Sequence, residues 1–152
     1  MATEIGQTGQ TQPAAIFDGA VWHLLFLSQD SSNRLLYVTS SDGGVSWAMG
    51  PGTSQFTDSA PAIALVQRPQ PAGPPNPNLL VAVFIANDPS NRILYSVLDL
   101  NESPDLRAWR FGGQVGGESA LSVYAVGSSE AVTVFFLAND DSRRLLRAQF
   151  TP

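Results

Sequence analysis

LFLSQDSSNRLLY at residues 25–37, VFIANDPSNRILY at 83–95 and FFLANDDSRRLLR at 135–147 are one line written three times. Aligned on Asp30, Asp88 and Asp140, the copies lie 58 and then 52 residues apart. Repetition at that period predicts an array, a solenoid or a propeller, in which each copy buries its apolar face against its neighbours. A chain of copies also offers copies of a surface. That suits multivalent binding better than a single catalytic centre.

Each copy opens on an apolar run rich in Val, Leu and Phe: Val21–Leu27, Leu79–Ile85 and Ala131–Leu137. Runs of about seven residues have the length of a buried strand. The polar stretches SQDSSNR, ANDPSNR and ANDDSRR follow, and their Asp, Asn, Ser and Pro favour a hairpin turn. A second strand comes next, at Leu35–Thr39, Ile93–Leu98 and Leu145–Phe150, and a further one precedes each pair, at Ala14–Phe17, Ala62–Gln67 and Ala120–Val126. Short segments anchored by Trp47 and Trp109 complete the first two copies. Four antiparallel strands in about 50 residues make one propeller blade. The expected fold is therefore an all-β propeller, one domain over residues 1–152. Blade 1 covers about 13–50, blade 2 about 60–112 and blade 3 about 119–150.

Blade 3 lacks its outermost strand. The N-terminal Gly6–Pro13 resembles Gly113–Ala120, the link between blades 2 and 3, so residues 2–6 are expected to supply the missing strand. Such a split blade removes exposed edges. Propellers usually have four to eight blades, so three blades per chain predict a six-bladed ring closed by a homodimer. Gln67–Asn78 carries five prolines and breaks the pattern; it reads as an exposed loop between the first two strands of blade 2. A proline-motif partner for it is the less favoured reading.

Composition removes several function classes. The chain is 43% hydrophobic, only 14% charged and carries a net charge of −5, with arginine as its sole cation besides the N-terminus. An acidic chain without a basic patch is no partner for nucleic acid. No apolar run is long enough to span a membrane. With no cysteine, thiol chemistry and cysteine metal sites are absent, and neither a metal nor a cofactor is expected. The N-terminus does not read as a secretory signal, so the expected location is cytoplasmic, or outside the cell by a leaderless route.

Ser40-Ser41-Asp42-Gly43-Gly44-Val45-Ser46-Trp47 resembles the Asp-box of sialidase-like propellers, with serine in place of the usual threonine at 46. The resemblance implies that Ser40, Asp42, Gly44 and Trp47 are structural and that the box joins the third and fourth strands of its blade. Blade 2 has an expanded, degraded version ending at Trp109, and blade 3 has none. The run S-A-P-A-I-A-L at 59–65, with the N-D-x-S-N-R turn after it, also resembles blades of bacterial sialidase-like and lectin propellers.

The strand order places the Asp-x-Ser-Asn-Arg turns and the Gly/Gln-rich links on one rim. Sugars need planar polar groups and an aromatic surface. Asp30, Asn33, Arg34, Asp88, Asn91, Arg92, Asp140, Arg143 and Arg144 supply the first, and Trp22 and Trp109, with Trp47 beside them, are the aromatic candidates. For each residue taken alone, the favoured reading is that the Asp caps its own turn and the Arg pairs with it. Because Arg34, Arg92 and Arg144 are symmetric copies, they do not build one asymmetric sialidase centre. The lone His23, beside Trp22, reads as a packing or hydrogen-bonding residue. The expectation is thus a non-catalytic, multivalent lectin for glycans. A protein-interaction scaffold and a sialidase-like glycosidase are the alternatives.

Overall fold

Leu79, Val81, Val83 and Ile85 pack on one side of a strand whose intervening Leu80, Ala82 and Phe84 pack on the other. A strand buried on both faces reads as a continuous apolar run, and this one, β6 (Pro77–Ile85), lies at the middle of the structure. The computed structural model describes Gly9 and residues 11–67 and 77–152. The split-blade strand expected at residues 2–6, and residues 68–76 of the proline-rich segment, lie outside these.

The described residues form ten strands and one turn of 3-10 helix at Pro104–Leu106. The first sheet has the order β1 (Ala14–Phe17), β2 (Trp22–Leu27), β3 (Leu35–Ser40), β4 (Ala48–Met49). The second runs in sequence order through β5 (Ala62–Gln67), β6, β7 (Arg92–Asp99), β8 (Arg110–Gly127), β9 (Val132–Ala138) and β10 (Leu145–Phe150). Every pairing is antiparallel. The fold is all-β and propeller-like, and β1, β5 and β10 have the bounds read from the sequence.

Two elements differ from expectation. β6 begins at Pro77, inside the stretch read as a loop, and pairs there with Gln67. The link at 113–119 is itself strand. β8 runs without a break for 18 residues, pairing with β7 through Arg110–Glu118 and with β9 through Ser119–Gly127. Gly113 (φ 142°) and Gly117 (φ 117°) let it change direction where other residues resist. A Cβ at Gly117 would also meet the ring of Phe136. β8 therefore closes one sheet unit, β5 to β8, and opens the next, β8 to β10. The alignment of the N-terminus also shifts. Gly9 bridges Ser28 as Ser119 pairs with Ala138, so Gly9 corresponds to Ser119 rather than to Gly116.

Two clusters fix the stack. Leu25, Leu35, Tyr37, Ile63, Leu80, Phe84 and Trp109 pack the first unit onto the second. Val81, Val83, Ile93, Val123, Val134 and Phe136 belong to the cluster joining the second to the third. Each fully buried Leu, Val or Phe contributes roughly 1.5–3 kcal/mol. The leading strands β1, β5 and β8 converge on two adjoining hollows of about 410 and 500 Å³.

Candidate active site

The three repeated turns share one geometry. Asp30, Asp88 and Asp140 each accept the backbone N–H two residues on, from Ser32 (3.0 Å), Ser90 (2.8 Å) and Ser142 (2.9 Å), and each also accepts that serine's hydroxyl. These serine hydrogen bonds are the main reason all three carboxyls are held below their usual range. Arg92 reaches Asp88 at 3.1 Å and Arg144 reaches Asp140 at 3.8 Å. Asn33 (φ 54°), Asn91 (φ 52°) and Arg143 (φ 46°) occupy the left-handed region at the same place. Asparagine tolerates that region and most other residues do not, at a cost of roughly 1–2 kcal/mol. Arg143→Asn therefore raises the melting temperature by about 2–4 °C in a thermal unfolding scan.

The turns and the links lie together. Asn33 O accepts from Thr57 N and Asn91 O from Ser119 N, both at 3.0 Å. Thr57 and Ser119 thus hold equivalent places, one at each junction between units. The next residue is Asp58 at the first junction and Ala120 at the second. Asn33 donates to Asp58 Oδ1 at 2.6 Å, and Asn87, with its amide nitrogen turned inward, donates to both carboxylate oxygens at 2.7 and 2.6 Å. Asp58 is exposed, bridges two neighbouring turns and precedes β5, which lines the central hollows. Sequence reasoning missed it because it lies outside the repeated line. Its signal was the break in the repeat, an acid in one link where the other has alanine.

The aromatic candidates do not join this rim. Trp22 starts β2 and pairs with Ser40 across to β3, at the strand ends opposite the Asp30 and Asp88 turns. Trp109 is buried before β8 at those same ends and meets Tyr37 of the first unit edge-on at 5.3 Å. It is a packing residue between units. Trp47 is half-buried against Leu24, Phe26 and Val38. In the Ser40–Trp47 turn, Asp42 accepts from Ser40 Oγ (2.7 Å), Val45 N (3.0 Å) and Ser46 N (2.9 Å), with Gly43 and Gly44 at positive φ. These bonds, led by the Ser46 hydroxyl, drive the Asp42 carboxyl far down.

His23 is buried and doubly bonded, with Nδ1 2.7 Å from the Tyr37 hydroxyl and Nε2 3.0 Å from Asp18 Oδ2. Burial lowers its pKa below the usual imidazole value, against the pull of Asp18. The folded state therefore binds fewer protons than the unfolded one just below pH 6.5. The stability it contributes is complete above that pH and is lost as pH falls through the folded pKa. Melting temperature should drop between pH 7 and 5 in the wild type, and less steeply in His23→Gln. Equal slopes would contradict this assignment. Among the described residues, no group of three His, Asp or Glu side chains is placed to hold a metal ion.

No protein-family description matches the chain, and no curated protein does. Among solved structures, the catalytic domain of the Coprinopsis cinerea GH62 alpha-L-arabinofuranosidase is similar, with a TM-score of 0.52 and 20% identity. The match takes in 99% of this chain and 49% of that one, so the chain spans about half its length. At that identity the likeness is one of fold. It nonetheless overturns the expectation of a non-catalytic lectin, because the neighbour with this architecture is a hydrolase catalytic domain. The copies are not equivalent where Asp58 stands, so the rim does hold an asymmetric carboxylate.

Proposed function

We propose that this chain is part of a glycoside hydrolase of propeller architecture, acting at the rim that carries Asp58. The observation that carries the reading is the alignment of nearly the whole chain with a glycosidase catalytic domain. Three blades per chain, and a six-bladed ring completed by a second copy, are the finer architecture of this proposal. The Ser40–Trp47 turn supports its sialidase-like character.

Glycoside hydrolysis generally uses two carboxyl groups on opposite sides of the scissile bond. Asp58 suits the base or nucleophile. It is exposed, and the amides of Asn33 and Asn87 orient it without neutralising it. Asp30 and Asp88 flank it on the two turns it bridges. Their own turn bonds hold them below the usual carboxyl range, and Asp88 is paired with Arg92, so these two carboxylates shape the turns on either side of Asp58.

The test is hydrolysis of aryl glycosides by the purified protein, beginning with aryl α-L-arabinofuranosides and extending to pyranosides and sialosides. The expected result is turnover of one sugar class well above the uncatalysed rate. No turnover across the panel would overturn the reading.

A further inference from the structure

Leu145 of β10 and Ile93 of β7 are the same position in successive copies, yet Ile93 is 0% exposed and Leu145 is 71% exposed. The same contrast runs across the sheet. Phe135 and Leu137 of β9 stand where Val83 and Ile85 stand in β6, and Tyr124 of β8 stands where Ala62 stands in β5. Ala62, Val83, Ile85 and Ile93 are buried against the following unit. Their counterparts in the third unit have no following unit among the described residues. Phe135 and Leu137 are half-buried, and Tyr124 is 65% exposed.

The other end of the stack shows the complementary face. Leu80 of β6, 0% exposed, packs back onto the first unit, and its counterpart in β2 is Trp22, 37% exposed. Phe17, 45% exposed, pairs with Trp22 at 5.1 Å and corresponds to Leu65, which also packs toward the first unit. One end thus presents the surface that receives a following blade, and the other presents the surface that follows one.

We infer that a second copy of this chain docks head to tail at both ends, with the Tyr124, Phe135, Leu137 and Leu145 face of each copy meeting the Phe17 and Trp22 face of its partner. The occupant is specified by the interfaces inside the chain, which already join these two kinds of face twice. Both contacts form together under one two-fold axis, so the assembly closes instead of growing. Closure also walls off the hollows between β1, β5 and β8 from the open side. The inference rests on the ring architecture proposed above, but not on its chemistry.

Light scattering of the purified chain at micromolar concentration tests it. The expected mass is about 32 kDa, twice the 16.2 kDa chain. Tyr124→Arg and, separately, Leu145→Glu should give about 16 kDa with an unchanged far-ultraviolet spectrum. Leu145 is exposed enough that its replacement leaves the fold of one chain intact. Val45→Arg, on the Ser40–Trp47 turn, should stay dimeric. A monomeric wild type, or dimers that survive both interface substitutions, would overturn the inference. A monomer that hydrolyses glycosides would remove this interface and keep the hydrolase. A dimer that hydrolyses none would do the reverse.

Discussion

Replacing Gly127 with alanine should cost more than about 3 kcal/mol and lower the melting temperature by roughly 6–12 °C. Gly127 ends β8 where that strand crosses closest to β5, and Gln67 N donates to Ser128 O at 3.3 Å just beyond it. A Cβ there would run into the carbonyl oxygen of Leu65 and lie 2.5 Å from its carbonyl carbon. Both partners are backbone, so no side-chain rotation relieves the clash. The two strands would have to part, and Val66 and Ala125 in the cluster beside them would lose packing. Gly52→Ala is the control, since a Cβ at Gly52 meets nothing within 4 Å. A thermal melt of both variants decides the matter. A loss below about 2 °C for Gly127→Ala would show that the leading strands are not held this closely.

Asp58→Asn should lower kcat by about 10²-fold or more while leaving the melting temperature within about 2 °C. Asparagine keeps the size of the side chain and one acceptor for Asn33 or Asn87, so the junction between the turns survives. What it removes is the negative charge. If Asp58 only tethers two turns, its replacement by Asn should shift stability and activity together, or neither. A KM largely unchanged beside a fallen kcat would assign the carboxylate to the chemical step. The comparable substitution Asp140→Asn, in the turn at the far end of the chain, should leave kcat within a few-fold.

The fold was legible because its signal is local and repeated. Continuous apolar runs mark β2, β6 and β9, and the Asp–Ser turns mark where each of them ends. β8 was not legible as one strand. Gly112, Gly113, Gly116 and Gly117 carry the composition of a linker, and only the pairing of β7 and β9 with successive halves shows them to be extended. The candidate site was half legible. The rim shared by turns and links follows from alternating strand direction, and the hydrogen bonds of Thr57 and Ser119 to the preceding turns bear that out. Asp58 did not stand out, because a search guided by repetition favours residues that recur and passes over the one that does not. Trp22 and Trp109 were misplaced for a related reason. Aromatic residues at strand ends serve blade packing and ligand contact equally well, and only the strand register shows which end they occupy.

The most direct test of the whole account is specific activity toward an aryl α-L-arabinofuranoside, followed across a dilution series with mass measured alongside. Turnover is expected at a rate per chain that falls in step with the loss of the 32 kDa species. Absence of turnover at every concentration, or a rate per chain that stays constant while the dimer dissociates, would contradict it.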